Sequence, residues 1–120
     1  MDFTTDVPIY IQIMELIKTD IVTGKLQKGE KMMSTRDLAV SLKVNPNTVQ
    51  RVYRELEQEE VCFTKRGMGT FITEDEGKIS ELKESLADEK VKLFIEAMRS
   101  LNLNIEDVIR KIKFYEEASR

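Results

Sequence analysis

Hydrogen-bonding and cationic side chains are concentrated on one face of a single predicted helix. Asn45 followed by Pro46 is typical of a helix start, and apolar residues then recur at the spacing of one buried stripe. The opposite face carries amide, hydroxyl and guanidinium groups: Asn47, Thr48, Gln50, Arg51 and Arg54. Such groups bind base edges and phosphates when a helix enters the major groove of DNA. We therefore expect residues 45–58 to form a recognition helix.

A shorter helix is predicted just before it. Ser34 is typical of an N-cap, with Asp37 three residues later as the partner in a capping box. The basic residues of this region are Lys31, Arg36, Lys43, Arg51 and Arg54, and they give residues 31–54 a net charge of +4 in a chain whose net charge is −3. This local charge favours an anionic partner over the alternative, which is two amphipathic helices with a merely solvated polar face.

The spacing of apolar residues changes after Glu60 to the alternation of β-strands. Two runs rich in β-branched and aromatic residues, 61–64 and 70–73, flank a loop that contains two glycines. They predict a hairpin whose tip carries Lys65, Arg66 and Gly67. A basic hairpin directly after a recognition helix is typical of the wing of a winged helix, which contacts phosphates or the minor groove. The alternative is a hairpin whose charges serve only solubility.

The rest of the chain supplies the elements that hold these parts. Residues 1–7 are predicted to form an extended arm, and Pro8 opens a helix that ends near Thr23, before Gly24. Its apolar stripe consists of Tyr10, Ile13, Met14, Ile17 and Ile21. Residues 74–78 are predicted to be a linker.

Two further amphipathic helices are predicted after that linker, the first ending near Ser100 and the second capped by Asn104 and Asp107. Two such helices cannot bury both apolar stripes against each other alone, so they must pack on a second subunit or fold back on the winged helix. We favour a dimer, because paired half-sites increase both affinity and specificity. The predicted dimer interface consists of Leu82, Leu86, Leu93, Phe94, Ala97, Met98, Leu101, Val108, Ile109, Ile112 and Tyr115.

The fold class is thus predicted as mainly α with a small β-hairpin. Residues 1–75 form a winged helix-turn-helix domain, and residues 76–120 form a two-helix dimerisation region. One domain with a short appendage is what a chain of 120 residues can hold.

Composition argues against catalysis. The chain has one cysteine and no histidine, which excludes thiolate–imidazole chemistry and the usual zinc sites. The neighbours of Cys62 predict a packed thiol rather than a reactive one. No glycine-rich phosphate loop and no marked carboxylate pair are present, so we expect no enzyme, no cofactor and no metal. Neither a membrane-length apolar run nor a signal peptide is present, which predicts a cytoplasmic protein with no membrane partner.

Five motifs resemble the GntR family of bacterial transcription regulators. They are PIYIQI (8–13), GKLQKG (24–29), STRDLA (34–39), NPNTV (45–49) and GMGTF (67–71). The resemblance covers residues 7–73, in order and with the family's spacing. The short two-helix tail resembles the YtrA-type subgroup, whose members are typically homodimeric repressors often associated with ABC-transporter operons.

The resemblance implies DNA contacts at Ser34 and Arg36, at Asn47 and Thr48, and at Arg66 and Gly67. Together with the residues chosen from charge and position, the predicted DNA-contacting set is Ser34, Thr35, Arg36, Asn45, Asn47, Thr48, Gln50, Arg51, Arg54, Lys65, Arg66 and Gly67.

The chain departs from the family pattern at several positions. Met33 replaces the usual proline, and Glu60 stands where glycine is frequent. Pro46 stands where some members carry arginine, as they also do near Gln50, so the operator sequence does not carry over.

The leading prediction is therefore a homodimeric, sequence-specific regulator of transcription that represses a transporter-type operon from a palindromic operator in double-stranded DNA. The alternative is a winged-helix protein-interaction module without specific DNA binding. Two tail helices are too few to enclose an effector pocket. Whether a small-molecule effector binds between subunits stays open at this stage.

Overall fold

Within residues 2–119, which the computed structural model describes, five helices and one two-stranded hairpin follow each other along the chain. Their order is α1 (Ile9–Val22), α2 (Thr35–Leu42), α3 (Pro46–Gln58), β1 (Cys62–Lys65), β2 (Gly69–Ile72), α4 (Glu76–Ser100) and α5 (Ile105–Ala118). The predicted class, mainly α with a small hairpin, is confirmed.

The chain forms two compact units, and the boundary between them lies inside α4. The first, called here the winged unit, extends to Lys83, and the second, the tail unit, begins at Glu84. The division predicted after residue 75 falls at the start of the same helix, α4. Among the described residues, no helix has both the length and the apolarity needed to cross a lipid bilayer.

The helix-turn-helix forms because both of its helices have side-chain caps. The Ser34 hydroxyl accepts the Asp37 N–H at 3.1 Å at the start of α2. The Asn45 side-chain carboxamide oxygen accepts the Asn47 N–H at 2.8 Å at the start of α3. Between the helices Lys43 has a φ of 58°, the left-handed conformation that ends α2 and turns the chain into α3. Each cap of this kind contributes about 1 kcal/mol to stability.

The core of the winged unit lies where α1 and α2 pack on α3. The predicted stripe of α3 is buried as a whole: Val49, Val52, Tyr53 and Leu56. The α1 helix contributes Ile13, Ile17 and Ile21, whereas Tyr10 and Met14 of its predicted stripe are only half-buried. Fully burying one large aliphatic side chain contributes roughly 1.5–3 kcal/mol, so this cluster is the main source of the unit's stability.

The hairpin is antiparallel, and Phe63 pairs with Phe71. Cys62 and Ile72 point into the core, while the two phenylalanine rings stack outside it with their centroids 5.8 Å apart. A third segment, which the sequence pattern did not predict, runs beside β2. The Met32 N–H donates to the Thr70 carbonyl at 2.8 Å. This segment ties the entrance of α2 to the wing.

The predicted linker 74–78 is too long, because α4 already begins at Glu76. The Asp75 carboxylate accepts the N–H groups of Gly77 at 2.9 Å and of Lys78 at 3.2 Å. An aspartate in this position caps a helix, which is why the helix starts inside a segment that is rich in charge and contains glycine.

In the tail unit, the predicted capping box of α5 is present. The Asn104 side chain accepts the Asp107 N–H at 2.9 Å, and the Asp107 carboxylate accepts the Asn104 N–H. Within residues 84–119, only Val108 is buried. Large apolar side chains of α4 and α5 and of the turn between them are exposed: Val91, Leu93, Phe94, Leu101, Ile105, Ile109, Ile112, Phe114 and Tyr115.

Candidate nucleic-acid interface

The exposed side of α3 carries most of the predicted base-reading groups. Asn47, Gln50, Arg51 and Arg54 are exposed, and Thr48 is half-buried at the edge of the helix. Asn47, Thr48, Gln50 and Arg54 are called the reading face below. These residues lie on the opposite side of α3 from its buried apolar stripe, because the two sets follow the helical period. Burial of the apolar face therefore leaves the polar face exposed.

The caps of α2 and α3 keep hydrogen-bonding capacity for a ligand. The Ser34 hydroxyl oxygen accepts a backbone N–H, which leaves its own O–H free to donate. The Asn45 side-chain oxygen likewise accepts a backbone N–H, while the side-chain NH₂ group keeps its two N–H donors. Arg36 is exposed in the first turn of α2, and Thr35 beside it is half-buried.

Four cations of the predicted interface differ from three other cations of the winged unit. In the part of the chain that the structure describes, Arg36, Arg54, Lys65 and Arg66 have no carboxylate within ion-pair distance. By contrast, Lys18 is 2.8 Å from Glu59, and both Lys28 and Lys78 also contact carboxylates. An unpaired guanidinium or ammonium group can bind a phosphate without first breaking an ion pair.

Arg51 is the exception among the predicted DNA-contacting cations of α3. Its guanidinium carbon lies 3.6 Å from the centre of the Tyr10 ring, and its Nε lies 3.8 Å from a Glu55 carboxylate oxygen. The spacing of Arg51 and Glu55, four residues apart on a helix, could have predicted the ion pair. Nothing in the local pattern indicates the contact with Tyr10, which was predicted only as part of the α1 stripe.

The wing extends from the other side of α3. The Thr64 hydroxyl donates to the Glu57 carboxylate and so joins β1 to α3. At the tip, the Met68 N–H donates to the Lys65 carbonyl at 2.9 Å, and Gly67 has a φ of 76°. Lys65, Arg66 and Gly67 are all exposed there, as the sequence predicts.

Lys31 is a cation beside the wing that is absent from the predicted DNA-contacting set. Its backbone pairs with that of Phe71 in an isolated antiparallel β-bridge. Its side-chain Cε would lie 3.0 Å from a Cβ placed on Gly69. Lys65 also lies close, with its Nζ 4.9 Å from the centre of the Phe71 ring. The absence of a side chain at Gly69 therefore gives the Lys31 chain room to pass along the hairpin.

Two titratable groups lie behind the reading face and are neutral at ordinary pH. Burial raises the pKa of the Tyr53 hydroxyl to about 12, and the neighbouring Cys62 adds to the shift. Burial likewise raises the pKa of the Cys62 thiol to about 12, with a further contribution from Glu57. A buried thiol with so high a pKa is a poor nucleophile. Among the described residues, no three histidine, cysteine, aspartate or glutamate side chains are grouped to hold a metal ion.

Comparison with known proteins gives one consistent match. The sequence profile described as bacterial regulatory proteins, gntR family, matches residues 9–72. The HTH-type transcriptional regulator YhcF of Bacillus subtilis strain 168 is 40% identical over 115 residues, which cover 96% of this chain and 95% of the relative. The HTH-type transcriptional repressor YtrA of the same strain is 40% identical over 92 residues, covering 72% and 71%.

Solved structures give the same result. A GntR family transcriptional regulator from Listeria monocytogenes superimposes with a TM-score of 0.86 at 43% sequence identity, covering 92% of this chain and 97% of that one. At this identity and coverage, the two chains share one fold over most of their length.

Proposed function

Because the chain belongs to the GntR family of bacterial regulatory proteins, we propose that it is a homodimeric repressor that binds an inverted-repeat operator. Its family and its winged helix make it a DNA-binding transcriptional regulator. The observation that carries the proposal is the set of exposed cations without carboxylate partners on α2, α3 and the wing. The YtrA-type resemblance makes a transporter operon the proposed target, and the bacterial cytoplasm, where the DNA lies, is the proposed compartment.

In the proposed complex, α3 lies in the major groove and the reading face contacts base edges. Ser34, Arg36 and Arg66 contact phosphates, because hydroxyl and guanidinium groups at helix starts and at a wing tip fix the orientation of the protein on the duplex. Gly67 allows the backbone of the wing to approach the DNA closely. Bases are thus distinguished by α3, while α2 and the wing supply affinity that does not depend on sequence.

The tail unit supports the proposed dimer through what it leaves exposed. Leu101 is 66% exposed and Tyr115 is 68% exposed, although both are large apolar side chains. Phe94, Met98, Ile112 and Tyr115 line an open groove of about 460 Å³ between α4 and α5. Contiguous apolar surface of this kind is typical of a protein interface, and a second copy of the chain would cover it.

Two of the residues predicted for that interface have a different environment. Leu82 is buried within the winged unit and Val108 within the tail unit, so both already contribute to the core of a single chain. The proposed interface therefore rests on the exposed members of the predicted set, chiefly Leu93, Phe94 and Leu101 of α4 and the turn after it, with Ile109, Ile112 and Tyr115 of α5.

The test begins with selection of duplexes from a random-sequence pool by the wild-type protein. The binding constant for the selected duplex is then measured over a range of salt concentrations, beside a scrambled duplex of equal composition. We expect a selected sequence with two-fold symmetry and an affinity that falls steeply with salt, because each phosphate contact releases counterions. Failure to select any sequence, or binding that is insensitive to salt, would instead support the protein-interaction module.

A further inference from the structure

The side chain of Arg51 links the recognition helix to the first turns of α1. The central carbon of its guanidinium lies 3.6 Å from the centre of the Tyr10 ring, which is the distance of a close cation–π contact. Glu55, one turn further along α3, lies 3.8 Å from its Nε. Half of the Arg51 side chain is nevertheless exposed.

The segment around Tyr10 is tied to the arm that precedes α1. The Gln12 carboxamide oxygen accepts the Thr4 N–H at 3.0 Å, and its amide group donates to the carbonyls of Thr4 at 3.0 Å and Val7 at 2.7 Å. One side chain therefore ties the arm before α1 to the first turns of that helix. Tyr10 lies within this tied segment, two residues before Gln12, and its ring contacts Arg51.

The position of Arg51 on α3 makes this contact relevant to DNA recognition. Arg51 lies three residues from both Thr48 and Arg54, and residues at that spacing are neighbours on a helix surface. Tyr10 therefore holds α3 on the side of Thr48 and Glu55, while the bond from Thr64 to Glu57 joins the wing to the opposite side. Asn47, Gln50 and Arg54 of the reading face lie between these two supports.

We propose that Tyr10 and Arg51 form a positioning pair, which sets the orientation of the reading face and leaves phosphate binding to the unpaired cations. The inference rests on the proposed docking of α3 in the major groove. Arg51 differs from Arg54 in this respect: the first has an aromatic ring and a carboxylate as partners, whereas the second has no carboxylate partner among the described residues. Loss of the pair changes the angle of the reading face, so binding to the selected sequence weakens more than binding to scrambled DNA.

The experiment measures the affinity of full-length variants for the selected and the scrambled duplex over a range of salt concentrations. The variants are Arg51→Ala, Arg51→Lys, Tyr10→Ala, Tyr10→Phe and the double variant Tyr10→Ala with Arg51→Ala. Arg54→Ala is the comparator for a phosphate-binding or base-binding cation. Thermal unfolding of every variant identifies a temperature at which all of them are folded, and binding is measured there.

The proposal predicts that Arg51→Ala and Tyr10→Ala each reduce the ratio of selected to scrambled affinity by about three-fold, the equivalent of one cation–π contact. The double variant loses no more than either single variant, because both remove the same contact. Tyr10→Phe keeps the ring and binds as the wild type does, whereas Arg51→Lys loses the flat guanidinium and weakens the ratio. The salt slope stays that of the wild type.

Three results would overturn it. A fall of about 0.9 in the salt slope of Arg51→Ala, with Arg51→Lys as active as the wild type, identifies Arg51 as a phosphate contact. Additive losses in the double variant mean that the two residues act separately. Variants that melt earlier but keep the wild-type affinity ratio show a role in stability alone. If the wild type selects no sequence, the proposed function itself fails. In that case Arg54→Ala also shows no loss of affinity, because there is no specific binding to weaken.

Discussion

The Tyr53 hydroxyl donates a hydrogen bond to the Met33 carbonyl at a distance of 2.5 Å. Tyr53 lies in the buried stripe of α3, and Met33 directly precedes Ser34, the cap of α2. The recognition helix thus holds the entrance of α2 from inside the core. Where many family members carry a proline that stiffens this entrance, this chain carries Met33, and the hydrogen bond supplies a constraint on the same backbone.

We expect Tyr53→Phe to lower the free energy of unfolding by about 1 kcal/mol, the usual contribution of one hydrogen bond. The ring and its packing are retained, so the change reports the hydroxyl alone. Binding to the selected duplex should weaken as well, because Ser34 and Arg36 follow Met33 directly. Urea denaturation and duplex affinity measure the two effects. An unchanged affinity in a destabilised variant would show that the hydrogen bond does not position α2.

Alkaline pH should destabilise the winged unit through Tyr53 and Cys62. The pKa of the thiol rises from 9.0 to about 12 in the folded chain, and that of the phenol from 10.0 to about 12. A raised pKa means that the unfolded chain loses its proton first. The stability is therefore complete below pH 9 and declines as the pH rises towards 12, by up to about 1.4 kcal/mol per pH unit for each group.

Urea denaturation at a series of pH values from 8 to 11 measures this decline. Cys62→Ala removes the thiol, so its unfolding free energy should start to fall only near pH 10, where the phenol begins to ionise. The variant is less stable at pH 8, because it leaves a small cavity in the core. A variant with the same pH dependence as the wild type would contradict the role given to the thiol.

Local chemistry explains why so much of the helix-turn-helix could be predicted. The caps Ser34 and Asn45 and the 3.6-residue period of α3 are properties of neighbouring residues, and each appears in the structure as expected. The contact of Arg51 with Tyr10 joins two helices that are distant in sequence, and the segment of residues 30–32 beside β2 has no strand alternation of its own. Neither is encoded in any local pattern.

The start of α4 and the burial of Leu82 were missed for a related reason. The charged segment 74–78 has the composition of a linker, but one Asp75 carboxylate is enough to cap a helix there. The apolar residues of the tail recur in the sequence at the spacing of a helix, which predicts that they form a stripe. Tertiary packing decides which of these residues face the chain's own core and which remain exposed. The spacing in the sequence carries no information on that packing.

Arg36→Ala and Arg66→Ala should each lower the dependence of DNA affinity on salt. Each substitution removes one proposed phosphate contact, so the slope of log affinity against log salt should fall by about 0.9. Both side chains are exposed, and the fold should be unaffected. Binding measured over a range of salt concentrations gives the slope.

Lys25→Ala is the matched control. Lys25 is exposed and has no ion pair among the described residues, but it follows the far end of α1, a helix of 14 residues whose start contacts α3. At 1.5 Å per residue it lies roughly 20 Å from Tyr10 along the helix. The slope of log affinity against log salt should be the same for Lys25→Ala as for the wild type. Equal slopes in all three variants would mean that DNA docks on another surface.

Thr48→Ala should alter base preference more than general affinity. Thr48 lies in the first turn of α3, where its hydroxyl and methyl groups can approach a base pair. Affinities are measured for a set of duplexes, each with one base pair changed. At one position in each half-site, the variant should distinguish the base pairs less well than the wild type does. Arg36→Ala serves as the comparison, because loss of a phosphate contact weakens all of these duplexes alike. A uniform loss in Thr48→Ala would place this residue on the backbone instead.

Gly67→Ala should weaken DNA binding beyond its effect on stability. Gly67 has a φ of 76°, and a Cβ there would meet no atom of the protein within 4 Å. The left-handed backbone alone costs about 1 kcal/mol with alanine. Gly24→Ala is a matched control, since Gly24 has a φ of 82° and equally open surroundings. Both variants should lose similar stability, but only the wing variant should lose affinity, because its methyl group lies at the proposed DNA surface.

Phe94→Glu should convert a dimer into a monomer. Phe94 is exposed on α4 and lines the groove between α4 and α5, which we propose a second copy covers. A carboxylate buried there without a partner costs about 3–5 kcal/mol, enough to dissociate a dimer at micromolar concentration. Light scattering gives the mass. The winged unit should remain folded, and tight binding to the two-fold operator should be lost.

Ser85→Glu introduces the same charge on the opposite side of α4, since Ser85 lies roughly two and a half helical turns from Phe94. This variant should remain a dimer, which separates the effect of an interface position from that of added charge. In the proposed dimer, two recognition helices would face one side of the duplex, so half-site centres should lie about 34 Å apart or a multiple of that. A wild-type chain that is monomeric at micromolar concentration would contradict both the interface and the spacing, because a single winged unit has no second half-site to bind.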